Sequence, residues 1–180
     1  GADDGWTRAA VLSSAANQSV PIFKSFLKQL KQSGQKVTAK SSVTEAVGEM
    51  AAVIGPQLKA EDIQETLSLI AGLDADSYLP LQIAGFEGLG NSLRRRGKSI
   101  AAYQAQLSEA DQKKLNQFYQ KIVETAANPK SPLAQKLEAI GVLQFVGFDT
   151  AGKTLLDLIQ GKNSQAVKIA AIEAISPYGD

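Results

Sequence analysis

The sequence contains no cysteine and no histidine among its 180 residues. Without cysteine there can be no disulfide, no thiolate metal ligand, no thiol nucleophile and no covalent haem attachment through a C-x-x-C-H motif. Without histidine, the commonest metal ligand and general base is missing. Any chemistry would have to use carboxylates, lysine, tyrosine or hydroxyl groups. We therefore expect no cofactor, no metal and no catalytic residue in this chain.

A strong excess of either charge is also missing, because 19 lysines and arginines balance 18 aspartates and glutamates. A dedicated nucleic-acid-binding protein has a strongly basic balance, so this composition disfavours nucleic acid as a partner. No stretch approaches the ~20 apolar residues of a membrane span. What the chain does have is 44% hydrophobic and 21% charged residues, which is typical of a folded domain.

Apolar residues recur at helical spacing almost throughout, whereas strand-like alternation is scarce. Glycine, proline and polar turn residues separate the helical segments. The pattern therefore predicts an all-α chain of antiparallel helix pairs joined mostly by short loops. The predicted helices cover about 5–15, 19–34, 43–54, 60–71, 78–95, 109–126, 133–146, 150–159 and 164–175, with an ambiguous short helix over 98–106.

One short pattern recurs along the chain. A long polar residue is followed by small and apolar residues in 7–12 (TRAAVL), 81–86 (LQIAGF), 134–140 (AQKLEAI) and 166–172 (AVKIAAI). The last two segments are offset by 32 residues, from Lys136 to Lys168. Stacked helices approach closely where one presents alanine or glycine, and a repeat that cannot bury its own apolar face must stack on a neighbour.

This repeat resembles HEAT repeats, so the predicted fold is an α-α superhelix, an armadillo-like solenoid of antiparallel helix pairs. A generic bundle rich in alanine and leucine is the alternative. We predict one HEAT-like domain over residues 1–180, belonging to a larger multidomain protein, with an irregular insertion at about 97–112 where the pattern fails. The glycines over 85–90 lie within a helical pattern, where small residues permit close packing.

A narrower resemblance involves the segments 5–14 (GWTRAAVLSS) and 88–97 (GLGNSLRRRG) and the alanine-rich final repeat. They are similar to the HEAT-repeat region of bacterial haem-binding membrane-bound dehydrogenases, which combine a β-propeller, HEAT repeats and a C-terminal cytochrome-c-type domain. The resemblance implies an exported, periplasmic or membrane-associated parent protein that is an oxidoreductase. It transfers no activity here, because the propeller's active site and the haem ligands belong to other domains.

The strongest candidates for an interaction surface are one aromatic residue and one basic cluster. Trp6, the only tryptophan, could anchor a partner or pack at the end of the stack. The basic cluster could bind an anion or an acidic partner, or its cations could simply favour a helix C-terminus. The cluster contains Arg94, Arg95, Arg96 and Lys98.

Three further groups of charged residues are explained more simply by structural roles than by binding sites. Lys24, Lys28 and Lys31 form a stripe that could contact nucleic acid but is typical of a solvated helix face. Asp74 and Asp76 could contribute to a Ca²⁺ site, but the full EF-hand pattern is absent, and Asp76 or Ser77 as a helix N-cap explains them more simply. The acids at 61, 62 and 65 are ordinary partners of a helix N-terminus.

These observations favour a non-catalytic module that binds proteins or neighbouring domains of its own polypeptide. One alternative is a HEAT-like DNA-binding protein or DNA glycosylase, which would need a basic groove with aromatic residues and a catalytic aspartate. A HEAT-like bilin lyase is a further alternative, supported only by analogy of fold.

Overall fold

The computed structural model describes residues 18–34, 37–39, 41–57 and 59–179, and every regular element in these ranges is helical. The all-α prediction is therefore confirmed, whereas the helix predicted over 5–15 lies outside the described residues. The helices are α1 (Ser19–Ser33), α2 (Ser42–Ile54), α3 (Ala60–Ala71), α4 (Ala75–Arg94), α5 (Ala101–Gln104), α6 (Glu109–Ala127), α7 (Leu133–Leu143), α8 (Phe148–Gln160) and α9 (Gln165–Ile175), with short 3-10 helices at Gly55–Gln57 and Ser176–Tyr178.

Helix ends follow the sequence signals closely. Gly34 terminates α1 in the left-handed region with φ 61°, where an L side chain would be strained. The backbone of Tyr78 leaves helical geometry two residues before Pro80, because proline crowds the turn that precedes it. At the other end of α1, Gln18 occupies the N-cap position, and Ser19, although serine is a common N-cap residue, is buried within the helix.

The chain divides into two compact units, Gly1–Ser108 and Glu109–Asp180. The boundary falls within residues 97–112, the segment in which the sequence predicted an insertion. In that segment the chain forms the single turn of α5 and then begins α6. A single HEAT-like domain over 1–180 stays a prediction from the repeat.

The first unit is built around the contact between α2 and α4, the most extensive helix packing in this unit. A Cβ atom added to Gly88 would lie 2.2 Å from the carbonyl oxygen of Gly48, so the two backbones touch. Beside this crossing, a Cβ on Gly85 would come within 3.1 Å of the Ile70 side chain. The predicted close packing at the glycines of 85–90 is therefore confirmed for Gly85 and Gly88.

The second unit is a group of four helices with a regular pattern of neighbours. Helix α7 packs on α6 and α9, while α8 packs on α9 and α6. The two helices that carry the 32-residue repeat, α7 and α9, therefore lie in direct contact. Fully buried side chains from different helices fill this core, among them Leu115, Ile122, Ile140, Leu155 and Ala171.

Candidate interaction surface

The basic cluster lies exposed at the C-terminal end of α4: Arg94, Arg95, Arg96 and Lys98. Gly97 reverses the chain with φ 66°, and its N–H donates to the Arg94 carbonyl at 2.9 Å. The N–H of Lys98 donates to the Leu93 carbonyl at 3.0 Å, which completes a Schellman cap. The four cations therefore surround the negative end of a helix dipole, which stabilises them there. Their exposure also leaves them accessible to an acidic partner.

The lysine stripe of α1 is partly engaged inside the first unit. Lys24 Nζ lies 2.8 Å from Glu65 Oε1, and Lys31 Nζ makes a long hydrogen bond of 3.5 Å to the Gly72 carbonyl. Both contacts connect α1 to the region of α3. Two of the three lysines are thus turned towards the protein's own acceptors, which argues against the stripe as a phosphate-binding surface for DNA.

The two aspartates before α4 have a capping role. Asp74 occupies the N-cap position, accepting from Ser77 Oγ at 2.6 Å and from the Ser77 N–H at 3.1 Å. The prediction that Asp76 or Ser77 would be the cap was therefore wrong by a few residues. The hydrogen bond from the Ser77 hydroxyl, in the main, lowers the pKa of Asp74, because it stabilises the carboxylate. Among the described residues, acidic side chains do not gather in groups of three that could hold a metal ion.

Gln82 has a role that sequence reasoning missed. It occupies the long polar position of the repeated pattern and is only 1% exposed. Its Nε2 donates to the carbonyls of Ile70 at 3.1 Å and Leu73 at 3.0 Å, which belong to the end of α3 and its following turn. The side chain therefore satisfies carbonyls that the end of a helix leaves without partners. Its Oε1 is buried without a partner in the described part of the chain.

Two tyrosines of the second unit are held in their neutral form. Tyr178, on the 3-10 turn after α9, donates its hydroxyl to the carbonyls of Leu143 and Val146 at the end of α7. Burial raises the pKa of Tyr178 to about 12. Burial, and to a lesser degree the proximity of Tyr178, raises the pKa of Tyr119 still further. Both hydroxyls therefore stay protonated near neutral pH, and that of Tyr178 is engaged by the two backbone carbonyls.

These raised pKa values predict a loss of stability in alkali. A tyrosine pKa above its unfolded value of about 10 contributes stability that is complete below pH 10 and is lost as pH rises towards the folded pKa. We expect part of the increase in tyrosinate absorbance of the folded chain to occur only above pH 11. Either Tyr119→Phe or Tyr178→Phe should reduce the size of this increase above pH 11. The urea-unfolded chain, in which all tyrosines titrate together, is the control. A single transition near pH 10 in the folded chain would contradict the burial of these hydroxyls.

Exposed large apolar side chains within the described ranges all lie in the second unit: Leu133, Phe148, Leu156, Ile169 and Ile172. Four of them, between 42% and 51% exposed, lie on α8 and α9, and the centroid of the Phe148 ring lies 5.4 Å from that of the Tyr178 ring. The sequence pattern identified the final helix as an alanine-rich repeat and did not distinguish its two faces. Exposed apolar side chains on two packed helices make α8 and α9 a candidate surface for association.

The first unit offers a shallow groove along α1, open to solvent. It is lined by apolar side chains that include Ile22, Phe26 and Met50, with Gln18, Ser25 and Gln29 at its edges. Ile22 and Phe26 share the helical apolar pattern of α1 with Phe23, but both are only half-buried, whereas Phe23 is fully buried. None of the described residues that line the groove is an acid or a base, so these side chains can hold an apolar group but offer no acid–base chemistry.

The chain matches no protein-family model, and neither a curated protein nor a solved structure is significantly similar to it. No helix in the described ranges is long and apolar enough to cross a membrane. Support for the candidate interaction surface therefore comes from the residues of this chain alone. Trp6 lies outside the described part of the chain, and the basic cluster and the apolar face of α8 and α9 lie within it.

Proposed function

We propose that this chain is a non-catalytic α-solenoid of the HEAT type that serves as a protein-interaction or interdomain scaffold. The packing of α7 on α9 carries this proposal, because these helices share the 32-residue repeat. HEAT-like arrays stack equivalent helices of successive repeats, so that each repeat contacts its neighbours. The packing of α6 on α8 supplies the second row of such an array.

A second line of support concerns chemistry. The sequence has neither histidine nor cysteine. Among its acids and tyrosines, Asp74 caps a helix, Glu65 pairs with Lys24, and the buried Tyr119 and the half-buried Tyr178 have raised pKa values. These four groups are thus engaged in holding the fold. The exposed surface includes a basic helix end and an apolar helix face, both suited to binding.

The parent protein in this proposal is a larger exported dehydrogenase. Support comes from the resemblance of residues 5–14 and 88–97 to the HEAT-repeat region of that family. In such a protein, the scaffold would hold an oxidising domain and a haem domain in position. Electron transfer would be performed by those domains, and this chain would contribute binding surfaces such as the basic cluster.

The experiment compares the purified chain with the full gene product. The full product is expected to encode a β-propeller before this region and a C-x-x-C-H haem motif after it. It should reduce an artificial electron acceptor with a sugar substrate, whereas the chain alone should show no turnover. Lysine cross-linking of the full product should join Lys98 to a flanking domain. Turnover by the chain alone would overturn the non-catalytic assignment, and different flanking domains would overturn the parent assignment.

A further inference from the structure

Helix α9 is apolar on two opposite sides. Val167, Ala171 and Ala174 are buried against its neighbours. Ile169 and Ile172 project from the other side, where they are 46% and 51% exposed. With 100° between successive residues, these two isoleucines share a face that lies opposite the buried alanines. Apolar residues on two opposite faces of a helix indicate that both are packing faces.

The repeat indicates that the exposed face is a packing face. At the position of Ile172, the two other described segments of the pattern have Phe86 and Ile140, and both are fully buried. The residue of α7 that corresponds to Ile169 in the repeat is Leu137, which is half-buried. The helix that packs on α7 is α9 itself. On α9, no helix among the described residues covers Ile169 and Ile172, although large apolar side chains at the corresponding positions of the other segments are covered.

Charged residues on either side of this face indicate what covers it. Lys168 precedes the first isoleucine and Glu173 follows the second. In a parallel pair of helices, apolar residues three positions apart form the seam between the helices. The residue just before the first seam residue then lies beside the partner's residue that is five positions further along the sequence. Lys168 of one copy would therefore face Glu173 of another. Neither of them belongs to the ion pairs Lys24–Glu65 and Lys114–Asp111 of the described residues.

We propose that the outer face of α9 is a homodimer interface in which two copies of this chain pair their α9 helices in parallel. Ile169 and Ile172 form the seam, and Lys168 and Glu173 form two symmetric ion pairs across it. A two-fold axis along the helices makes the contact isologous, so the association closes at two copies. Phe148, at the start of α8, is a further exposed apolar side chain of this unit: it is 49% exposed, and its ring contacts that of Tyr178 after the end of α9.

The interface is small, since α9 has 11 residues and forms about three turns. Contacts of this size fall at the lower end of specific interfaces, so the dimer should be reversible, with a dissociation constant in the range of roughly 10–100 µM. The proposal concerns α9 alone and goes beyond the scaffold function. A monomeric chain would overturn it and leave the scaffold function standing.

The test is sedimentation equilibrium of the whole chain from about 1 µM to 1 mM. Wild-type chain should shift from monomer to dimer. Either single charge reversal, K168E or E173K, should weaken dimerisation roughly tenfold, because like charges then face each other. The double variant K168E/E173K should return to within a few-fold of wild type, because the pairs re-form with reversed signs. Ile172→Ser should abolish the dimer.

The control is Leu133→Ser, because Leu133 is also 51% exposed but lies at the start of α7. It should leave the dimer unchanged. All these side chains are at least partly exposed, and circular dichroism of each variant verifies the fold. Two results would overturn the proposal. One is a monomer at every concentration, as expected if a further helix of a longer polypeptide covers the face. The other is a dimer in which the double variant is as weak as the singles.

Discussion

Replacing Gly88 by alanine is expected to lower the free energy of unfolding of the first unit by about 2 kcal/mol and its melting temperature by on the order of 10 °C. The new Cβ would lie 2.2 Å from the Gly48 carbonyl oxygen, and 2.9 Å from the carbonyl carbon. These are backbone atoms, so α2 and α4 must move apart. Alanine gains about 1 kcal/mol in helix propensity, which is smaller than the packing loss.

Substitutions at two other glycines serve as comparisons for the stability loss expected of Gly88→Ala. A Cβ on Gly48 would lie 3.2 Å from the Ala84 carbonyl oxygen, so Gly48→Ala should cost less than Gly88→Ala. At Gly147 nothing lies within 4 Å, and Gly147→Ala should change stability by less than about 1 kcal/mol. Urea unfolding followed by circular dichroism measures all three variants. If Gly88→Ala is as stable as Gly147→Ala, the proposed contact between the α2 and α4 backbones is wrong.

Replacing Gln82 by glutamate is expected to destabilise the first unit by on the order of 3 kcal/mol at pH 7. The two side chains have the same shape, but the carboxylate cannot donate. Both donated hydrogen bonds, to the carbonyls of Ile70 and Leu73, would be lost, and a buried negative charge would face two carbonyl oxygens. The resulting repulsion and desolvation raise the pKa of the introduced carboxyl above the ordinary value for glutamate of about 4.3.

The direction of the pH dependence follows from that raised pKa. The variant should be most stable below pH 4.3, where the protonated carboxyl can donate one hydrogen bond, and should lose stability as pH rises through its folded-state pKa. Gln82→Met, which has similar length but no charge, is the matched control. It should be less stable than wild type by about 1–2 kcal/mol, with the same pH profile as wild type. A Gln82→Glu variant as stable as Gln82→Met at pH 7 would contradict the dry environment of this side chain.

The helices were predictable because their signals are local. Apolar spacing, Gly34 and Gly97 at helix ends and Pro80 near a kink are all visible within a few residues of sequence. The cap of α4 was misplaced between Asp74, Asp76 and Ser77, because each can cap a helix and only the backbone geometry selects one. Such errors of a few residues are inherent in local signals.

Contacts between distant segments were much less predictable. The sequence indicated close packing at Gly88 but not that Gly48, 40 residues earlier, would lie opposite it. Likewise, the pattern contained a long polar residue at Gln82 without revealing that it reaches the carbonyls of another helix. Pairing of this kind is decided by the tertiary arrangement, because many helices offer a small residue or an amide.

The candidate surface was predicted only in part. The residues of the basic cluster lie together because they are neighbours in the sequence, and all four are exposed: Arg94, Arg95, Arg96 and Lys98. The apolar face of α9 was not found, because isoleucines at helical spacing look the same whether a neighbour covers them or not. Comparing Ile172 with Phe86 and Ile140 across the repeat could have raised the question, because each of these positions carries a large apolar side chain that needs a covering neighbour.

The central claim is that the helices are stacked as repeats, and insertion of one more repeat tests it most directly. A second copy of residues 133–164, placed after Ser164, adds one 32-residue repeat between α8 and α9. In a solenoid each repeat needs only its neighbours, so the longer chain should fold. We predict that circular dichroism will show helix added in proportion to the insert, with unchanged or higher stability. A chain that loses cooperative unfolding, or whose insert adds no helix, would show a closed bundle and contradict the account.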